Sequence, residues 1–157
     1  MPDTLKALYD QYEAAVVQVR KKASPTDGLF GMGKDPRDHG CHDAFYETAE
    51  EWVKEFAASD PAPERVRDVT AFILRAANRN RDKQTYWYLF AAQLHACHLI
   101  PLLRKEDCIA LRDEYRETYP RQDRMPAQQQ VFKMLQEYAG DRKSEKVSFF
   151  QKLFGTK

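Results

Sequence analysis

Apolar residues recur at three- and four-residue steps through almost the whole chain, a period that suits helices and little else. Leu5, Leu8, Tyr9, Tyr12, Val16 and Val19 trace one such stripe and predict a first helix over about residues 3–22. Ser24-Pro25 ends it, because proline disfavours helical backbone for the residue before it. Phe45, Ala49, Trp52, Val53 and Phe56 predict a second helix that starts near Gly40. At Asp60-Pro61 the spacing predicts a restart, with Asp60 as cap and Pro61 in the first helical position. Val66, Val69, Phe72, Ile73 and Ala76 then form the stripe of a third helix.

The next segment differs. After Asp82, a good N-cap, Tyr86, Trp87, Tyr88, Leu89, Phe90, Ala91, Ala92 and Leu94 nearly encircle the helical wheel. A helix apolar on every side belongs at the centre of a fold, and Pro101 kinks or ends it. Cys108, Leu111, Tyr115 and Tyr119 line a fifth helix that stops at Pro120. Val131, Leu135 and Tyr138 line a sixth, with Gly140 as its left-handed cap. Ser144 caps a short seventh helix carrying Val147, Phe150 and Phe154. No strand-like alternation and no convincing internal repeat occurs. The expectation is one all-α domain over residues 1–157, a compact array of about seven helices around a central buried helix, with a glycine-rich loop at about 23–41. A short α-solenoid is the alternative.

Charge and cysteine usage narrow the function classes. A net charge of +1 provides no global field towards nucleic acid or an anionic membrane. Met1-Pro2-Asp3-Thr4 carries neither a basic nor an apolar signal region. The most apolar run, Trp87 to Leu103, is interrupted by Gln93, His95, His98 and Pro101, so no membrane span is expected. Three cysteines without framework spacing suit free thiols in a reducing compartment, which points to the cytoplasm.

All four histidines and two of the three cysteines fall in two similar stretches, His39-Gly40-Cys41-His42 and His95-Ala96-Cys97-His98. At about 100° per residue, His95 and His98 share one helix face while Cys97 points elsewhere, as a core thiol. His42 and Cys41, reaching in from a loop, could complete a zinc-type ligand set with His95 and His98. Asp38, Asp43 or Glu47 would replace one ligand or orient an imidazole. The spacing matches no established metal signature, however, and ordinary hydrogen-bonded histidines account for the same residues. In a third reading Cys41, in the first turn of the second helix, is the nucleophile of a Cys–His enzyme, its thiolate favoured by the helix dipole and a flanking imidazole. No orienting third residue is identifiable.

Gly28 to Lys34 has the spacing of a phosphate loop, but no strand precedes it, and Asp35 follows the lysine where a hydroxyl should stand. Leu29, Phe30 and Met32 instead suit a loop pinned to the core, with Phe30, Lys34 and His39 as candidate ligand or partner contacts. Arg75, Arg79, Arg81 and Lys83 lie beside Tyr86 and Trp87, as in single-strand binders. Asp82 breaks that group, and a solvated turn is the better account, so nucleic acid is not the expected partner. Gln128-Gln129-Gln130 reads as a polar helix face, and the apolar terminal segment docks on the core or forms a partner or dimer surface. The reading is a helical binding or interaction module for a protein or small-molecule partner. Its candidate surface is the Gly28 to His42 loop with the exposed part of the face bearing His95 and His98. The alternatives are a zinc-type metal-binding protein or metal-dependent hydrolase using Cys41, His42, His95 and His98, and the Cys41 thiol enzyme.

Overall fold

The computed structural model describes residues 3–21, 36–81 and 85–141. Six α-helices account for most of them: α1 (Asp3–Lys21), α2 (Pro36–Ala58), α3 (Pro63–Ala76), α4 (Tyr86–Ala91), α5 (Lys105–Thr118) and α6 (Pro126–Ala139). No strand occurs among the described residues, so the chain is all-α. The segment of the expected seventh helix, Ser144 to Phe154, and most of the glycine-rich loop lie outside them. No described helix is long and apolar enough to cross a membrane.

The apolar stripes bury as their spacing predicts. Leu5, Tyr9, Tyr12 and Val16 of α1 meet Phe45, Ala49, Val53 and Phe56 of α2, and Val66, Val69 and Ile73 of α3 join the same core. α5 and α6 form a second closely packed pair. Between the pairs runs the segment that was expected to be a continuous central helix. It is α-helical only over Tyr86–Ala91 and tightens into 3₁₀ backbone over Ala92–His98, then again over Ile100–Leu102. Pro101 lacks an amide hydrogen, and in an α-helix its ring would press on the carbonyl of Cys97. Ala92 and Ala96, both fully buried, let α2, α3 and α6 approach this narrow segment from different sides. Contact with elements distant in the chain separates the arrangement from a solenoid, in which each unit touches its neighbours.

Five details depart from the sequence expectation. α2 starts at Pro36 rather than near Gly40, so Cys41 and His42 stand on a helix and not in a loop. α3 starts at Pro63, not Pro61, and Asp60 does not cap it. Asp60 instead adopts a left-handed conformation, φ 53°, just beyond the end of α2, a state that its short polar side chain tolerates. The N-cap of α4 is Thr85 rather than Asp82, which lies outside the described residues. Tyr138 is exposed, and Gln128 takes the inward place on α6 together with Val131, Phe132 and Leu135.

Gln128 belongs to a buried polar network centred on Gln93, and both side chains are 0% exposed. Gln93 Nε2 donates to the Leu74 carbonyl at 2.8 Å and to the Tyr119 hydroxyl at 3.1 Å. Gln93 Oε1 accepts from the Tyr115 hydroxyl at 2.8 Å and from Gln128 Nε2 at 3.2 Å. Tyr119 donates onward to Asn78 Oδ1. All four bonding positions of the Gln93 amide are therefore filled, which burial requires if it is not to be costly. Burial raises the phenol pKa of both Tyr115 and Tyr119, so each stays a neutral donor.

Gly140 closes α6 with φ 93°, its amide reaching the carbonyls of Gln136 and Glu137. A Cβ there would meet only the flexible end of Lys105 at 3.4 Å, so the cost of adding one lies in the backbone conformation. Gly140→Ala is expected to lose about 1 kcal/mol in urea unfolding. An unchanged midpoint would show that α6 does not need this cap.

Candidate functional site

Along α2, His42, Tyr46, Glu50 and Lys54 follow one another at four-residue steps, and each has its own chemistry. His42 is 3% exposed. Tyr12 Oη of α1 is hydrogen-bonded to its Nδ1 at 2.5 Å, and the Tyr88 ring stacks on the imidazole with centroids 3.3 Å apart. One turn on, the Tyr46 ring lies 4.3 Å from the ring of His95. A further turn on, Glu50 Oε1 pairs with His98 Nε2 at 3.2 Å and with Lys54 Nζ at 3.3 Å. The hydrogen bond from His98, helped by Lys54, holds the Glu50 carboxyl below the usual carboxylate range.

His95 is the anomaly in this row. It is 1% exposed, and neither ring nitrogen has a hydrogen-bond partner among the described residues. Burial pushes its pKa down from 6.5 to about 4; His98 and Lys54 add to that, and the Glu50 carboxylate opposes it. The imidazole is thus neutral at physiological pH. On the 3₁₀ backbone the two histidines share a face and differ in depth along it. Residues three apart are stacked in line along such a helix, so His95 lies within the fold while His98, at the segment's end, reaches the carboxylate near its edge.

The two stretches therefore do not form the converging ligand set expected from sequence. His42 is occupied by Tyr12 and Tyr88, whereas His98 is paired with Glu50. Among the described residues no group of three or more His, Cys, Asp or Glu side chains is placed to hold a metal ion. The carboxylate that engages an imidazole is Glu50, not Asp43 or Glu47, which point to solvent; the Asp38 side chain lies outside the described residues. Its signal in the sequence was the repeated four-residue step from His42. Cys41 is half-buried against the core. α2 begins at Pro36, which puts Cys41 beyond the first turn, where the dipole acts most strongly. The other two thiols are pushed away from the thiolate by burial, Cys108 to about 11 with Asp107 adding, and Cys97 in the same direction. Phe30, Lys34 and the side chain of His39 lie outside the described residues.

A second feature went unread in the sequence because it contradicts the central burial of its segment. Trp87 is 63% exposed. Its ring rests edge-on against Tyr86 and Phe90, at centroid distances of 5.3 and 6.2 Å. Phe90 in turn meets Tyr119, so the exposed indole is the outer member of a packed aromatic series.

No protein family, curated protein or solved structure matches this chain.

The state of His95 carries a pH dependence. Its folded pKa lies below the unfolded value, so the stability it is linked to is fully present above pH 6.5 and is lost as pH falls towards 4. The full loss is on the order of 3 kcal/mol. His95→Leu, which leaves no nitrogen to protonate, is expected to lose less stability than the parent protein between about pH 7.5 and about pH 4.5. Equal losses in the two proteins, measured by urea unfolding at each pH, would contradict a neutral buried His95.

Proposed function

We propose that this chain is a binding module whose partner-facing surface is centred on Trp87. The observation that carries the reading is the exposure of that indole on a rigid aromatic base. A large apolar ring left in water loses the benefit of burial, on the order of 2 kcal/mol. Tryptophan is also the side chain most enriched where partners bind tightly, because it brings much area at small conformational cost. The surface differs from the one expected from sequence: His95 is enclosed and His98 is paired, so the face bearing them offers little to a ligand.

The zinc-type reading has less support. It needs His42 to leave a tyrosine bond and a ring stack, and His98 to leave a carboxylate, before four ligands can meet. The Cys41 enzyme reading has a neighbouring imidazole already bonded to Tyr12.

Panning a displayed library of random peptides on the purified protein tests the proposal. Wild type is expected to enrich a set of related peptides, and Trp87→Ala to lose them while its unfolding free energy stays within about 0.5 kcal/mol. Failure of wild type to enrich any peptide, or equal enrichment on both proteins, would contradict it.

A further inference from the structure

Phe132 is a buried ring of α6 with two guanidinium groups against it. Arg124 Cζ lies 3.7 Å from the ring centroid and Arg116 Cζ 5.8 Å. Arg124 also donates through Nε to the Tyr119 carbonyl at 2.8 Å, just past the end of α5. Arg121, on the short 3₁₀ turn Arg121–Asp123, stands close enough to act on the same group. Burial lowers the Arg124 pKa, and its neighbours Arg116 and Arg121 lower it further.

Carboxylates do not balance this cluster. Arg116 has one long contact, 3.6 Å, to Asp113, which Arg112 already holds at 2.9 Å. Neither Arg121 nor Arg124 makes an ion pair among the described residues. Three guanidiniums with only that one long carboxylate contact among the described residues repel one another, and in a chain of net charge +1 that concentration is local rather than general. Arginine forks recognise carboxylates with two parallel hydrogen bonds, and a partly desolvated cluster strengthens each.

Trp87 and the cluster stand at the two ends of one series of buried rings. Ring contacts run from Trp87 to Phe90, Tyr119, Tyr115 and Phe132. Half-exposed Met125 follows Arg124 directly. Beyond Phe132 a groove on the outer side of α6 is lined by Gln129, Gln130, Lys133 and Gln136; the glutamine amides can both donate to and accept from an extended backbone, and the lysine adds a donor.

We propose that the partner is an acidic peptide segment of another protein, with an apolar side chain on Trp87 and carboxylates held by Arg116, Arg121 and Arg124. This rests on Trp87 as the partner-facing residue and adds the chemistry of what is recognised. Charge complementarity selects the acidic segment. The low net charge of the whole chain favours a short acidic peptide over a nucleic acid, which would reward a wider basic surface.

The random-peptide library, panned in parallel on wild type, Arg121→Gln and Arg121→Gln/Arg124→Gln, tests this. Wild type is expected to enrich peptides that pair an aromatic or aliphatic residue with several Asp or Glu. Their affinity is expected to fall about tenfold in the double variant, and to fall likewise between about 0.05 M and about 0.5 M salt. Arg121→Gln, an exposed position away from the Tyr119 cap, is expected to show a smaller fall in the same direction even if the double variant unfolds. Trp87-dependent peptides without acidic bias, or acidic peptides bound equally by Arg121→Gln and wild type, would overturn the acidic partner and leave the Trp87 surface standing. Absence of any Trp87-dependent peptide would overturn both. A single-stranded oligonucleotide bound through these arginines more tightly than the recovered peptides would assign the cluster to nucleic acid instead.

Discussion

A single buried amide organises the centre of this protein. Gln93 sits fully buried on a 3₁₀ segment, and α3, α5 and α6 or their flanking residues supply a partner for each of its four bonding positions. An apolar residue in its place would allow the segment to slide or rotate against those helices at small cost. A polar one, with each bond directional, fixes both depth and rotation. Gln128 repeats the principle from the other side, giving its amide hydrogens to Gln93 and to the Phe90 carbonyl while its oxygen takes the Met125 amide at the start of α6.

Everything of chemical interest follows from how that segment is held. With Gln93 facing α3 and α5, His95 turns under Tyr46 of α2 and has no hydrogen-bond partner among the described residues, whereas His98 meets Glu50. With Phe90 pressed on Tyr119, Trp87 one turn earlier is left outside. The same packing brings Tyr115 and Phe132 together and so places the arginines around Phe132. Neutral histidine within and exposed tryptophan without are two consequences of one orientation.

The fold class was legible in the sequence because stripes such as Leu5, Tyr9, Tyr12 and Val16 have only one regular structure that can bury them. The cap at Gly140 was equally plain, since glycine alone accepts that backbone without strain. The central segment was misread in kind. Its ring of apolar residues implied uniform burial, but Trp87, on the α-helical part, is exposed because Phe90 takes the inward place against Tyr119; beyond Ala91 a wheel drawn at the α-helical angle misplaces side chains on 3₁₀ backbone. Glu50 and Gln128 were hidden among surface-type neighbours, Glu47 and Glu51 in one case and Gln129 and Gln130 in the other. Composition cannot tell which of several similar residues faces inward; only the rotation of the helix does. The paired His-x-Cys-His stretches drew notice by likeness, yet like sequences landed on unlike backbones, one on α2 and the other on the 3₁₀ turn, with different neighbours.

The most direct measurement of the central claim is a double-mutant cycle on the two buried amides, read by urea unfolding of Gln93→Leu, Gln128→Leu and the double variant. If Gln93 fixes the core through satisfied bonds, Gln93→Leu loses about 2 kcal/mol or more, and the double variant loses less than the two single losses together, by about 1 kcal/mol. Strictly additive losses, or a Gln93→Leu protein as stable as the parent, would mean that apolar packing alone sets the segment and that the amide network is incidental.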